Sequence, residues 1–263
     1  MRIVEPSFEI MSMPDPNTAL SVIEQAGRTC YKSEHKMQEG SAGEFIRRIL
    51  RSGHESVVEH GSVTVRFIVD RGVSHELVRH RLAAYSQEST RYANFSKERY
   101  GREISVIRPK FWKLTSRAYK IWREAMEECE AAYFILLNDG AKPQEARTVL
   151  PNSLKTEVVM TANFREWRHF LRLRCSKAAH PQIREVMLPL LEELAGYFPP
   201  LFDDIRAPGY AYIGDFRDMA LWTEFCPSCE SNEDLEYEGG SEQWMCHYCE
   251  ETWLGPPPPS KEV

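Results

Sequence analysis

Cys226 and Cys229, followed after sixteen intervening residues by Cys246 and Cys249, set two C-x2-C pairs near the end of a 263-residue chain. That spacing restricts the local fold more than any other feature. Each pair needs a tight turn so that both sulfurs face one ion, and four thiolates then surround it tetrahedrally, as in a zinc ribbon. Gly239-Gly240 suits a hairpin tip between the pairs. The reading is a structural Zn²⁺ on Cys226, Cys229, Cys246 and Cys249; a redox pair or an iron–sulfur site would draw on the same donors. The predicted organisation is a main domain over 1–222, a zinc-ribbon-like module over 223–255 and a disordered tail over 256–263, where PPPP stands.

Charge follows the same division. Residues 223–263 carry ten acidic side chains and one lysine, a net of −9, which leaves +3 of the chain's −6 for residues 1–222. Phosphate binding by a ribbon rests on Lys and Arg, so this one reads as an interaction or folding unit rather than a nucleic-acid reader. Within 71–102, seven Arg or Lys face three Glu, a local excess in an otherwise balanced domain. The other cysteines, Cys30, Cys129 and Cys175, are scattered singly. With no signal-like apolar run in MRIVEPSFEI and no membrane-span length, they predict a reduced, cytoplasmic, non-membrane protein.

Local signals predict an α+β domain. RIVEPSFEIM reads as a strand, and Asn17-Thr18 as the cap of a helix reaching Gly27. Ser41 with Glu44 makes a capping box before FIRRIL, closed by Gly53. Val63, Val65, Phe67 and Val69 alternate with Thr64, Arg66 and Ile68, the period of a half-buried strand. Ser74 is then read as capping a helix through HELVRHRLAAY, which would set Glu76 and His80 on one face. A polar loop over 86–101, a strand over 104–107, a long helix over 114–137 and a short helix ending near Arg147 follow. A strand or helix over 154–162 and helices over 165–175 and 181–197 complete the domain.

Arg79, His80 and Arg81 stand side by side, and adjacent cations repel unless an anion answers them. Phosphates suit, because a guanidinium is a permanently charged bidentate fork. A solvated surface face is the bland reading. The segment is R79-H80-R81, seven residues, S89, then T90-R91-Y92, and it resembles the RHR-x7-S signature of the flavin-dependent thymidylate synthases. AGRTCY at 26–31, GHESVVEH at 53–60, EARTVLP at 145–151 and TANFREWRHFLRLR at 161–174 resemble further family segments in the same order. The likeness covers about residues 1–205; the cysteine cluster lies outside it.

The resemblance implies an antiparallel or mixed sheet flanked by helices, in a homotetramer with FAD sites between subunits. It implies conversion of dUMP to dTMP, with 5,10-methylenetetrahydrofolate as carbon donor and NADPH reducing the flavin. Arg79, His80 and Arg81 would contact flavin, with Arg79 also near dUMP, and His54, Ser56 and Glu59 would contact flavin too. Asn163, Phe164, Arg165 and His169 match flavin positions, with a smaller amide common where His169 stands; His180 aligns after a two-residue shift. Gln87, Glu88, Ser89, Thr90 and Arg91 fall on the loop that wraps dUMP, preceded by Glu76, and Arg147 matches a further dUMP contact. Gln87, also placed at the flavin, is Glu in some members.

Arg174 is the candidate for chemistry, since a guanidinium on the N3/O2 edge of uracil favours an ionised pyrimidine with a nucleophilic C5. The alternative is an arginine capping helix-end carbonyls. Ser89 is read as positioning dUMP rather than attacking it, because no acidic group is evident to orient His80 as its base. Cys175 is a rival nucleophile, since Arg174 beside it could lower a thiol pKa, but the resemblance offers it no support and a free core cysteine is the favoured reading. A function of another class, a zinc-ribbon nucleic-acid-binding or regulatory protein gripping phosphates with the basic helix, is the remaining alternative.

Overall fold

A computed structural model describes residues 1–206 and the backbone of three short strands further on. The chain forms two compact units, Met1–Arg108 with Arg123–Pro208, and Pro109–Trp122 with Gly209–Val263. No helix among the described residues is long and apolar enough to cross a membrane.

The first expected strand is two, β1 (Arg2–Val4) and β2 (Ser7–Ser12), parted at Pro6, which cannot donate to a ladder. Helix α1 (Pro16–Thr29) is capped by Asp15, whose carboxylate accepts from the Thr18 amide, so the cap sits two residues before the expected Asn17. Helix α2 (Ser41–Arg51) starts after Gly40 and has no side-chain cap. The expected capping box is absent because Ser41 is the first helical residue rather than the cap, and its Oγ accepts the Gln38 amide at 3.1 Å instead. Gly53 does end this segment, at φ 76°, where a side chain would be strained.

The central sheet has the order β2-β3-β6-β4, built from β3 (Ser62–Asp70), β4 (Ala83–Gln87) and β6 (Lys155–Asn163), all antiparallel to their neighbours. The alternation read in the sequence is the one observed: Val63, Val65, Phe67 and Val69 are buried, facing the same core as Val158, Met160 and Ala162. Strand β5 (Ser105–Ile107) pairs in parallel with β1. Helices α4 (Arg117–Asn138) and α5 (Pro143–Ala146) precede β6; α6 (Phe164–Arg174), α7 (Pro181–Tyr197) and α8 (Pro199–Phe202) follow it. Trp167, Phe170 and Leu171 of α6, and Met187, Leu190 and Leu194 of α7, fill the core. This is the expected α+β class, a mixed set of strands flanked by helices.

The helix expected through HELVRHRLAAY is corrected. Helix α3 spans Arg71–Leu77, capped by Asp70, whose Oδ1 accepts the Val73 amide at 2.7 Å. Ser74 is inside it, donating to the Arg71 carbonyl. Residues 83–87 are instead strand β4, in register with β6 from Ala83↔Ala162 to Gln87↔Val158. Pairing with a central strand outweighs the local helical spacing of Leu77, Val78 and Leu82.

In the second unit, β7 (Leu235–Glu238), β8 (Gln243–Cys246) and β9 (Thr252–Leu254) form an antiparallel sheet in chain order. The expected turn at Gly239-Gly240 and the thiols of Cys226, Cys229, Cys246 and Cys249 lie outside the described residues, as does the tail.

Candidate functional site

The reversal between α3 and β4 creates the site. Because α3 stops at Leu77, the carbonyls of its last turn have only the long contacts of the turn that follows, Arg79 N–H to Glu76 and His80 N–H to Leu77, each at 3.3 Å. Tyr85 on β4 turns its hydroxyl to the Leu77 and His80 carbonyls, each at 2.8 Å, and ties the 77–80 turn to the sheet. Burial pushes the Tyr85 phenol up to about 12, so it stays a protonated donor. Gln87, on the same strand, donates to Ser74 Oγ at 2.9 Å and to Thr156 Oγ1 at 3.3 Å. Tyr85 was not identified from sequence, because the strand that carries it was masked by the helical pattern; Ser74, read there as a cap, instead lies inside α3 and accepts from Gln87.

Arg174, the last residue of α6, reaches this turn. Its Nη1 pairs with Glu76 Oε2 at 2.6 Å, its Nη2 donates to the Glu76 carbonyl at 3.2 Å, and its Nε donates to His80 Nε2 at 3.2 Å. Glu76 and His80 therefore do meet, through Arg174 rather than on one helix face. Arg174 also caps a carbonyl, at the end of α3 rather than of its own helix. A guanidinium has five N–H donors; three are used, and one on each Nη is left for a ligand.

His80 is buried, and burial, then Arg174 and His169, lower its pKa to about 4, leaving it neutral at pH 7. Its Nδ1 lies 3.2 Å from Glu166 Oε1, and its ring meets Phe170 edge-on at 4.5 Å. Glu166 is buried too; burial raises its carboxyl, with His169 and Arg165 pulling the other way. Sequence reasoning missed Glu166, which nothing in one sequence sets beside His80; Asn163-x-x-Glu166 has the spacing of a capping box. Asn163 does cap α6, accepting the Glu166 amide at 2.9 Å, but the Glu166 carboxylate turns to His80. His80, Glu166 and the exposed His169 bring three potential ligand atoms within 4.8 Å of one another. Both His80 nitrogens are already engaged and Arg174 and Arg165 add positive charge, so this is a hydrogen-bond network, not a cation site.

The flanking arginines behave differently. Arg79 and Arg81 are exposed, with no ion-pair partner among the described residues. On the loop after β4, Ser89 Oγ accepts the Arg91 amide at 3.3 Å, and the Arg91 guanidinium lies over the Tyr92 ring. Arg147 donates to Thr90 Oγ1 at 3.1 Å. Arg71, unassigned from sequence, has its pKa lowered by burial and then by the charge of Arg147, with Glu88 acting the other way. Glu88 is held by Lys155 at 3.3 Å. No base is recorded beside Ser89 among the described residues: His80 does have an acidic partner, Glu166, which the sequence did not show, but its other nitrogen is taken by Arg174.

The 53–60 turn carries exposed His54, Ser56 and Glu59. Arg165 pairs with Glu59 at 2.5 Å, joining α6 to that turn, while Phe164 is in the core. His180 is at the start of α7, where its Nδ1 accepts the Gln182 amide at 3.3 Å; Gln182 in turn donates to buried Asp70. Among described contacts His180 thus belongs to the α3–α7 junction rather than to the Arg174 network.

The rival thiol is corrected. Cys175 is half-buried, and burial pushes it up to about 12 despite Arg184. Arg174, its neighbour in sequence, turns the other way.

Against this geometry stand the relatives. The family model described as thymidylate synthase complementing protein matches residues 11–200, ending short of the cysteine cluster. The chain is 36% identical over 203 residues to a flavin-dependent thymidylate synthase of Geobacter sulfurreducens, covering 74% of this chain and 84% of the relative. It is 35% identical over 215 residues to that of Pyrococcus furiosus, covering 81% and 80%. Among solved structures, thymidylate synthase X from Helicobacter pylori with FAD and dUMP superposes with TM-score 0.62 at 24% identity, covering 77% of this chain and all of that one. A UMP/dUMP methylase from Streptomyces cacaoi bound with 5-Br dUMP gives 0.64 at 23%, covering 77% and 96%.

Proposed function

Because this chain belongs to the flavin-dependent thymidylate synthase family, and so makes dTMP from dUMP with FAD, we propose that the reaction is organised around Arg174. The observation that carries this is the pinned guanidinium, fixed on one edge by Glu76 and His80 with two N–H groups to spare. Those donors would take the N3/O2 edge of uracil and hold the negative charge that makes C5 nucleophilic. Removing one such aimed donor costs on the order of 10²–10³ in rate.

FAD fits the remaining donor set: Arg79 and Arg81, cationic and unpaired, suit its pyrophosphate, with His54, Ser56, Glu59, Asn163, Arg165 and His169 around the ring system. Bound there, it would supply the hydride that completes the methyl group, after reduction by NADPH and with 5,10-methylenetetrahydrofolate as carbon donor. Ser89, Thr90, Arg91 and Arg147, with Gln87 and Glu88, would grip dUMP; a phosphate there would offset the repulsion between the Arg71 and Arg147 charges. We further propose a cytoplasmic homotetramer whose sites lie between subunits, and a Zn²⁺ on Cys226, Cys229, Cys246 and Cys249 in a module over 223–255, because four thiolates in two C-x2-C pairs match its tetrahedral preference.

The purified protein should be yellow and bleach with NADPH, and Arg174→Ala should lose dUMP methylation at least 100-fold. A colourless protein that gains no flavin from added FAD, or an Arg174→Ala enzyme with full turnover, refutes the reading.

A further inference from the structure

We propose that Glu166 is a positioning residue for this reaction: by accepting the Nδ1–H of His80 it makes His80 Nε2 the acceptor that fixes the Arg174 guanidinium. The inference rests on the role given to Arg174 above and extends it to a residue two contacts away.

The chain of constraints is closed by chemistry. An arginine Nε–H can only donate, so His80 Nε2, 3.2 Å from it, must accept. A neutral imidazole has one N–H, which is then on Nδ1 and needs an acceptor. Glu166 Oε1 at 3.2 Å is the one recorded among the described residues. The other tautomer would set N–H against N–H at Arg174 and an acceptor against a carboxylate. The depressed His80 pKa agrees with a neutral ring.

Stability alone does not explain Glu166. A glutamate three residues after an Asn cap ordinarily turns back to the cap's amide. This one is buried against a neutral ring instead, where burying a carboxylate is unfavourable. What faces His80 is Glu166, His169, Phe170 and Arg174 from α6, with Tyr85 on its carbonyl. Among these, only the Glu166 carboxylate is recorded as an acceptor for Nδ1–H.

The test uses the FAD-loaded enzyme and steady-state dUMP methylation. Glu166→Met removes the acceptor while filling similar volume; Glu166→Ala replaces it should methionine not pack. We expect kcat to fall about 10–100-fold, the range for losing an outer partner that fixes a histidine tautomer. KM for dUMP should stay within about threefold, because the interaction lost acts in the transition state. Glu166→Gln, whose amide oxygen still accepts from Nδ1–H, should restore kcat to within about threefold of wild type. Wild-type kcat in Glu166→Met, a raised KM at unchanged kcat, or Glu166→Gln as slow as Glu166→Met overturns the proposal. Arg174→Ala in the same assay separates the two claims. Full turnover there removes the premise, whereas a slow Arg174→Ala beside a fast Glu166→Met removes only the role of Glu166.

Discussion

Arg168→Met tests what holds the site-bearing helix in place. Arg168 is 0% exposed, yet it carries a full charge. Its guanidinium makes a two-pronged pair with Asp204, at 2.6 and 2.7 Å, donates to the Leu201 carbonyl, and lies 3.6 Å from Glu55. It therefore links α6 to the segment after α8 and to the 53–60 turn. Two charge-assisted hydrogen bonds contribute roughly 1.5–3 kcal/mol each. Two discounts apply: Asp204 is 47% exposed and keeps Arg172 at 3.2 Å, and Arg168 Nε is itself buried without a partner, a cost that methionine removes. The net loss is about 2–4 kcal/mol, low against the ~3–5 kcal/mol for breaking a fully buried pair. For a chain of this size that is a Tm lower by about 5–15 °C, read by scanning calorimetry on the FAD-loaded protein. The pH dependence has a definite sign. Burial opposes ionisation of Asp204, but Arg168 and Arg172 outweigh it and hold its pKa below the ordinary carboxylate value. Such stability is present above that value and lost as pH falls through the lowered one, so the gap between wild type and Arg168→Met should persist from pH 8 to 5 and close below about pH 4. A Tm within 2 °C of wild type at pH 7, or a gap that widens in acid, refutes the reasoning.

Two other predictions concern the cysteines. Cys175→Ala should keep dUMP methylation within about threefold of wild type, and iodoacetamide at pH 7.5 should label exposed Cys30 far faster than Cys175, whose thiol stays protonated; a tenfold loss of turnover would restore Cys175 as a nucleophile. Metal analysis of the purified chain should return about one Zn²⁺, lost on Cys246→Ser or strong chelation; a metal-free preparation eliminates the ribbon.

The parts of the fold legible in sequence are those where one physical signal acts alone. The alternation along β3 could mean only one buried face, and Phe164–Arg174 and Pro181–Tyr197 have helical spacing, with Asn163 and Pro181 marking their starts. The misreading at 74–87 arose where two signals compete. Glu76, Leu77 and Leu82 fit a helix, while the reason residues 83–87 extend is β6, some seventy positions away in sequence. The site shared that fate. Arg174, Glu76 and His80 were each identified, but Glu76 and His80 were set on one helix face, which does not exist because the helix ends at Leu77. Glu166 was invisible because nothing in one sequence sets it beside His80, 86 positions away, and Arg71 because nothing relates it to the charge of Arg147.

The adjacent Arg79, His80 and Arg81 are resolved by burial rather than by one shared anion. The turn after Leu77 sends the middle side chain inward and its neighbours outward, so the ring that would be a third cation is neutral and the two guanidiniums face solvent. The triplet thereby does two kinds of work. Its ends keep permanent charge free for an anionic ligand, while its centre gives up charge to become an acceptor for Arg174. A lysine or arginine at position 80 could not take the central role, since it has no acceptor atom; a second buried cation beside Arg174 would also raise the cost of both. Histidine is suited to this position because it can be held neutral with one nitrogen donating to Glu166 and the other accepting from Arg174.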